Sequence, residues 1–120
     1  MEKKKLGEIG EDIALRHLLS KGFQLITKNW RFKHKEIDII MKDGDFLVIV
    51  EVKTRKTNQH EAPDEMIPRK KQRFLIAAAE AYIMEYDIEA ESRFDVVIIH
   101  FEYDKPVINH IPNAFEPSLL

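Results

Sequence analysis

Glu51 and Lys53 stand at the end of an apolar run, at positions where a strand built only for stability would carry Val or Ile. Residues 46–50 are all apolar and predict a buried central strand. Ionised groups in such a strand are destabilising unless they are paired or bind an ion. A second acid, Asp38, lies in another apolar run thirteen residues before Glu51. We interpret the two acids and the lysine as one site for a divalent cation or a charged substrate.

An Asp-Gly sequence separates these two apolar runs and predicts a β-hairpin between residues 36–41 and 46–54. Successive side chains of a strand point to opposite faces of the sheet, so Glu51, Lys53 and Arg55 share one face. The end of the second strand therefore has one polar side.

The pairing of this hairpin decides whether the acids meet. A loop of two or four residues would pair Asp38 with Ile49 and Glu36 with Glu51, which places both acids of the first strand on the Glu51 face. Like charges gathered in this way repel unless a cation neutralises them, and carboxylate oxygens are hard ligands. Mg²⁺ or Mn²⁺ is therefore the expected ion.

The remaining elements are predicted from apolar periodicity and from β-branched and aromatic content. We predict helices at 4–20 and 68–87, and strands at 23–32, 36–41, 46–54, 93–99 and 105–111. The strand–helix–strand order makes the third and fourth strands parallel neighbours near the centre of the sheet. The result is an α/β fold with a single domain over residues 1–112, a mobile loop at 56–66 and a C-terminal tail at 113–120.

Composition narrows the class of protein. A chain of 120 residues with 44% hydrophobic and 33% charged residues fits one globular domain, and it lacks the apolar run of about 20 residues that spans a bilayer. The absence of cysteine excludes disulfides and thiolate metal sites and fits a cytoplasmic location. The five histidines have no i, i+2 or i, i+4 pairing, so a histidine zinc site is not expected.

Charge is distributed unevenly along the chain. Residues 53–73 carry seven bases and three acids, whereas the whole chain has a net charge of −2. One basic region on an otherwise acidic protein suits contact with nucleic-acid phosphates. The expected phosphate-binding residues are Arg55, Lys56, Lys71 and Arg73.

Several motifs together resemble a known superfamily. They are Gly7-Glu8-Ile9-Gly10-Glu11, Asn29 with Arg31, Glu36-Ile37-Asp38-Ile39-Ile40, Val50-Glu51-Val52-Lys53, and Arg93-Phe94-Asp95-Val96-Val97. An acid on one strand, a Glu-x-Lys on the next and a following helix are similar to the PD-(D/E)XK nucleases. More closely, the chain resembles the YraN family of uncharacterised endonuclease-like proteins, related to Holliday-junction resolvases. This resemblance, which covers nearly the whole chain, implies a restriction-endonuclease-like three-layer fold with a mixed central sheet of about five strands flanked by helices.

The resemblance also implies a role for each site residue. Asp38, Glu51 and the Val52 carbonyl would bind Mg²⁺ or Mn²⁺, and Lys53 would orient or polarise the attacking water. Glu11, on the first helix, would be a further ligand or would hold the water. The protein would then be a metal-dependent endonuclease that hydrolyses phosphodiester bonds in DNA, with branched or single-stranded DNA as candidate substrates and a homodimer as a candidate assembly.

Other interpretations stay open. A non-catalytic nucleic-acid-binding protein that retains the nuclease fold would explain the basic region without turnover, and a protein-interaction scaffold is the third candidate. The acids and Lys53 could also be a buried ion pair with a capping acid. Glu36 is a weaker candidate for the site, and Asp95 is expected to be held by hydrogen bonds or by Arg93.

Overall fold

The computed structural model, which describes residues 3–56 and 67–117, has one helix followed by three strands and a second helix followed by two. The elements are α1 (Lys3–Ser20), β1 (Gln24–Phe32), β2 (Lys35–Asp43), β3 (Phe46–Arg55), α2 (Arg69–Glu85), β4 (Glu91–Glu102) and β5 (Lys105–Ile111). All the predicted elements in the described ranges are present, with β2 and β4 longer than expected. Residues 57–66, most of the predicted mobile loop, lie outside the described residues.

The strands form one sheet in the order β1-β2-β3-β4-β5. Neighbouring strands are antiparallel except for β3 and β4, which are parallel over their full paired length from Phe46 with Glu91 to Arg55 with His100. A parallel pair needs a crossover connection, and α2 lies in that connection. The predicted parallel neighbours and the mixed sheet are therefore confirmed.

Each face of the sheet packs against one helix. Leu47 and Ile49 of β3 lie in an apolar cluster with α2, which we call the α2-side cluster. Val48 and Val50 lie in the α1-side cluster, together with residues of α1. The alternation of β3 side chains between two helices gives the predicted three-layer fold.

The β2–β3 hairpin turns at Gly44 and Asp45, and Asp43 pairs with Phe46. Gly44 has a φ of +58°, a left-handed conformation that residues with a Cβ rarely adopt. The turn is therefore one residue further along the chain than an Asp-Gly turn would place it.

This turn makes the predicted pairing of Asp38 with Ile49 and of Glu36 with Glu51 wrong by two residues. A shift of two preserves the alternation, so Asp38 still approaches Glu51. Glu36 is exposed and lies two residues before Asp38, so the register does not place it opposite Glu51. Its charge still contributes to the raised pKa of Glu11.

Two further observations complete the fold. The start of the predicted tail packs on the sheet, because the Ala114 N–H donates to the Phe94 carbonyl and the Phe115 ring stacks on the Phe94 ring with centroids 4.9 Å apart. In the described ranges, no helix has the length and apolar character needed to cross a membrane.

Candidate active site

Asp38 lies where β2 and β3 separate. Hydrogen-bonded pairing between these strands runs from the turn as far as Ile39 with Val50. Beyond that pair, the Val52 N–H donates to Asp38 Oδ2 at 3.0 Å. Ile37 packs in the α2-side cluster, whereas Ile39 packs in the α1-side cluster, so the normal alternation is interrupted around Asp38. The Asp38 carboxylate therefore accepts a hydrogen bond from the Val52 N–H at the point where the backbone pairing of β2 and β3 ends.

Glu51 is almost fully enclosed, with 4% of its surface exposed. Its Oε2 atom lies 3.6 Å from Lys71 Nζ and 3.9 Å from Lys53 Nζ. Its Oε1 atom is buried and has no hydrogen-bond partner among the described residues. A buried carboxylate oxygen without a donor is unfavourable, so half of this carboxylate lacks the compensation that burial normally requires.

The Asp38 carboxyl group responds to this environment. Burial, and then the charge of Glu51, raise the pKa of Asp38 to about 7, against the opposing effect of the Val52 N–H. Two carboxyl groups that share a low-dielectric site cannot both ionise easily near neutral pH. The pair therefore favours binding either a proton or a cation.

Glu11 reaches this region because α1 lies unusually close to β3. A Cβ at Gly10 would collide with the Thr54 side chain, so the contact requires glycine at that position. Asn29 Nδ2 donates to Glu11 Oε1 at 3.3 Å. Burial and the charge of Asp38 raise the pKa of Glu11, while the Asn29 hydrogen bond opposes the rise.

The structure brings together most of the predicted catalytic and metal-binding residues. Asp38, Glu51 and Lys53 form one cluster, and the Val52 N–H donates to Asp38. Glu11 lies close enough to Asp38 for the Asp38 charge to raise its pKa. Within the described ranges, no group of three or more His, Cys, Asp or Glu side chains could by itself hold a metal ion.

The four residues predicted to bind nucleic acid lie at the end of β3 and in the first turns of α2. Lys71, in the first turn of α2, contacts Glu51 on the α2 side of the sheet. The sequence predicted a basic start to this helix but not its contact with Glu51. Lys56 is exposed and lines a surface depression with Leu6 and Phe101. Arg73 is exposed on α2, and Arg55 is half-buried at the end of β3. The contact between Asn29 and Glu11 was not predicted from the sequence.

A second buried carboxylate, Asp95, lies in the neighbouring strand. Its Oδ1 accepts from Arg93 Nε at 2.9 Å and from the Asn113 N–H at 3.0 Å, and its Oδ2 lies 2.9 Å from a terminal Arg93 nitrogen and 2.7 Å from His110 Nε2. Burial alone would raise the pKa of Asp95, but the hydrogen bonds from His110, Arg93 and Asn113 hold it below its usual value. The expected contact with Arg93 is confirmed.

Similar proteins share nearly the full length of this chain. The profile described as "Uncharacterised protein family UPF0102" matches residues 10–99. The UPF0102 protein of Thermodesulfovibrio yellowstonii is 43% identical over 115 residues, covering 96% of this chain and 99% of that protein. The UPF0102 protein of Flavobacterium johnsoniae is 36% identical over 118 residues, covering 95% and 96%. A solved structure, Pyrococcus furiosus SfsA in complex with Ca²⁺, is 16% identical with a TM-score of 0.37, covering 92% of this chain and 64% of that one.

Proposed function

The chain belongs to the uncharacterised protein family UPF0102, and from its paired carboxylates we propose that it is a divalent-metal-dependent endonuclease that hydrolyses phosphodiester bonds in DNA. The observation that supports this most is the buried Glu51 carboxylate, whose Oε1 has no donor among the described residues and whose neighbour Asp38 has a pKa raised to about 7. A fold selected only for stability would not maintain such a pair.

A divalent cation fits the donors that this site offers. Asp38, Glu51 and the Val52 carbonyl would hold it, and the cation would supply the electron-poor partner that Glu51 Oε1 lacks. Hard oxygen donors favour Mg²⁺ or Mn²⁺, which commonly complete their coordination with water and substrate phosphate. When bound, the metal would stabilise charge on the phosphoryl oxygens and lower the pKa of a coordinated water.

The chain's own residues have separate tasks in this proposal. Lys53 is 32% exposed at its side chain, so its ammonium can donate to a phosphate oxygen or to the attacking water while staying beside Glu51. Lys71 forms an ion pair with the same Glu51 oxygen, Oε2, and would add a second positive charge next to the substrate. Glu11, held by Asn29, can accept a hydrogen bond from the water.

The test is a cleavage assay with a panel of single strands, duplexes, flaps and four-way junctions of DNA in Mg²⁺ or Mn²⁺. We expect the wild-type protein to cut at least one substrate and Lys53→Ala to lower the rate by about 100-fold, the usual size of one electrostatic contact to the transition state. Lys42→Ala is the matched control, because Lys42 is exposed and lies near the turn of the β2–β3 hairpin. Cleavage by Lys53→Ala at the wild-type rate would remove Lys53 from the mechanism.

A non-catalytic nucleic-acid-binding protein is the second candidate. The observation that favours it is the small number of ligands, since the described residues contain no group of three acidic, histidine or cysteine side chains around one point. Binding of DNA by a folded protein that cuts no member of the panel in either metal would select this candidate over the nuclease.

A further inference from the structure

Three lysines converge on two contacting phenyl rings at one end of the sheet. Lys33 Nζ lies 5.3 Å from the centroid of the Phe32 ring, and Lys35 and Lys71 place their Nζ atoms 5.7 and 5.4 Å from the centroid of the Phe74 ring. The two ring centroids are 6.0 Å apart. We call these five residues the lysine–phenylalanine cluster.

The positive charge of this cluster is poorly neutralised within the chain. Lys71 lies 3.6 Å from Glu51 Oε2, but neither Lys33 nor Lys35 forms an ion pair with a carboxylate of the described residues. The nearest acid along the strand, Glu36, is exposed and forms no ion pair with Lys33 or Lys35. The aromatic rings hold the ammonium groups near one another by attraction to their faces, although like charges repel. The arrangement is suited to an external anion.

The cluster is also continuous with the carboxylate pair. Lys71 contacts the Phe74 ring and the Glu51 carboxylate, so a single side chain joins the two. Lys35 lies three residues before Asp38 in β2, a separation of about 10 Å along a strand. Phosphates on either side of one placed at the carboxylate pair would therefore lie within reach of the cluster.

From this arrangement we propose that the lysine–phenylalanine cluster binds the phosphate backbone of a nucleic acid beside the carboxylate pair. The inference rests on the proposed function for its choice of ligand. Because the ammonium groups lie over the rings, the rings orient lysines rather than stack on bases, so binding depends on phosphates and is independent of sequence. None of the residues first expected to bind nucleic acid, except Lys71, belongs to this surface.

The test measures binding without catalysis. A fluorescently labelled 30-nucleotide single strand and the matching duplex are titrated with protein in EDTA at several salt concentrations. Lys33→Ala/Lys35→Ala should weaken binding about tenfold and reduce the slope of log K against log salt concentration by about 1.4 for the single strand and about 1.8 for the duplex, because two phosphate contacts are lost.

Two further variants separate position from charge. Arg16→Ala/Lys42→Ala removes the same number of positive charges from exposed positions outside the cluster and should leave the slope unchanged. Phe74→Leu keeps an apolar side chain and all the lysines, but removes the ring that holds Lys35 and Lys71. It should weaken binding by less than the double lysine variant, with circular dichroism used to confirm that it is folded.

The outcomes distinguish this inference from the proposed function. Equal slopes for Lys33→Ala/Lys35→Ala and the charge-matched control would overturn the cluster, even if the wild-type protein cleaves DNA. Loss of slope only in the cluster variant would support the cluster, even if no DNA is cleaved. Failure of the wild-type protein to bind either DNA at low salt, or tighter binding of poly-glutamate than of DNA, would also overturn it.

Discussion

Asp95 and Glu51 are both buried in neighbouring strands of one sheet, but they lie on opposite faces and differ in how their carboxylate oxygens are bonded, and Asp38, the neighbour of Glu51, is half-buried. Asp95 lies on the α1 side and accepts from Arg93, His110 and the Asn113 backbone. Glu51 lies on the α2 side with one oxygen that has no donor among the described residues. The pKa of Asp95 is lowered and the pKa of Asp38 is raised.

The opposite pKa shifts distinguish a buried acid that stabilises the fold from one that is available to bind a ligand. The Asp95 group is complete, since each carboxylate oxygen has two hydrogen-bonding contacts and the arginine charge balances its own. Such a group fixes the relative positions of strands and needs no ligand. The Asp38–Glu51 pair is incomplete, and an incomplete pair is stable only because the surrounding structure holds it, which is typical of functional sites.

The largest effect is expected from Asp95→Asn. The substitution leaves His110, with a side chain 5% exposed, without its carboxylate, and leaves Arg93, with a side chain 14% exposed, with only the Asp43 carboxylate. We expect a loss of about 3 kcal/mol in the free energy of unfolding, measured by urea titration at pH 7. The control is Asp43→Asn, which removes the 39% exposed second partner of Arg93 and should lose less than about 1 kcal/mol. Similar losses for both variants would contradict the special status of Asp95.

This loss should depend on pH with a definite sign. Because the folded-state pKa of Asp95 is lowered, its contribution to stability is present above the unfolded value of about 4 and disappears as the pH falls through the folded value. The difference between wild type and Asp95→Asn should therefore shrink in acid. A difference that stays constant to pH 2 would mean that the Asp95 charge is not what stabilises the fold.

The Asp38→Asn variant should behave in the opposite way and should gain stability. An acid whose folded-state pKa is raised to about 7 destabilises the fold progressively between about pH 4, its unfolded value, and pH 7. Asparagine can still accept the Val52 N–H but does not ionise. We expect a gain on the order of 1–3 kcal/mol at pH 8 that vanishes below about pH 4.

The control for this gain is Asp45→Asn, an exposed acid in the turn of the same hairpin. It should leave the urea midpoint nearly unchanged across the same pH range. If Asp38→Asn is less stable than wild type at pH 8, the two carboxylates do not repel, and the contrast with Asp95 fails.

A smaller effect should come from added metal. Millimolar Mg²⁺ or Mn²⁺ should raise the Tm of the wild-type protein by a few degrees, because an ion that binds only the folded state stabilises it. Glu51→Gln should abolish the increase. Glu36→Gln should keep it, because Glu36 is exposed and the register does not place it opposite Glu51. Equal responses of all three proteins would indicate ion binding elsewhere.

The sequence was sufficient to predict the elements and the face that Glu51 and Lys53 share, because both depend on local periodicity. The register of the hairpin could not be predicted in the same way, because Gly44 and Asp45, rather than Asp43 and Gly44, form the turn. The two-residue error preserved the meeting of Asp38 with Glu51 and moved Glu36 away from Glu51, although the charge of Glu36 still acts on Glu11.

Contacts between distant segments were beyond sequence reasoning. Lys71 reaches Glu51 only because of how α2 docks on the sheet after the long connection from β3. The donors to Asp95 come from β4, from β5 and from the segment after β5. No local pattern shows that such donors meet at one carboxylate. Sequence alone therefore cannot tell that, among the described residues, the Asp95 carboxylate is fully hydrogen-bonded whereas the Glu51 carboxylate is not.

The outer strands of the sheet limit how another chain can attach. β1 has a register irregularity between Leu25 and Thr27 and a left-handed residue, Asn29, which bend its free edge. β5, at the other edge, contains Pro106, which has no N–H to donate. Both features disfavour the addition of a sixth strand, so they protect the sheet against aggregation by edge-to-edge pairing.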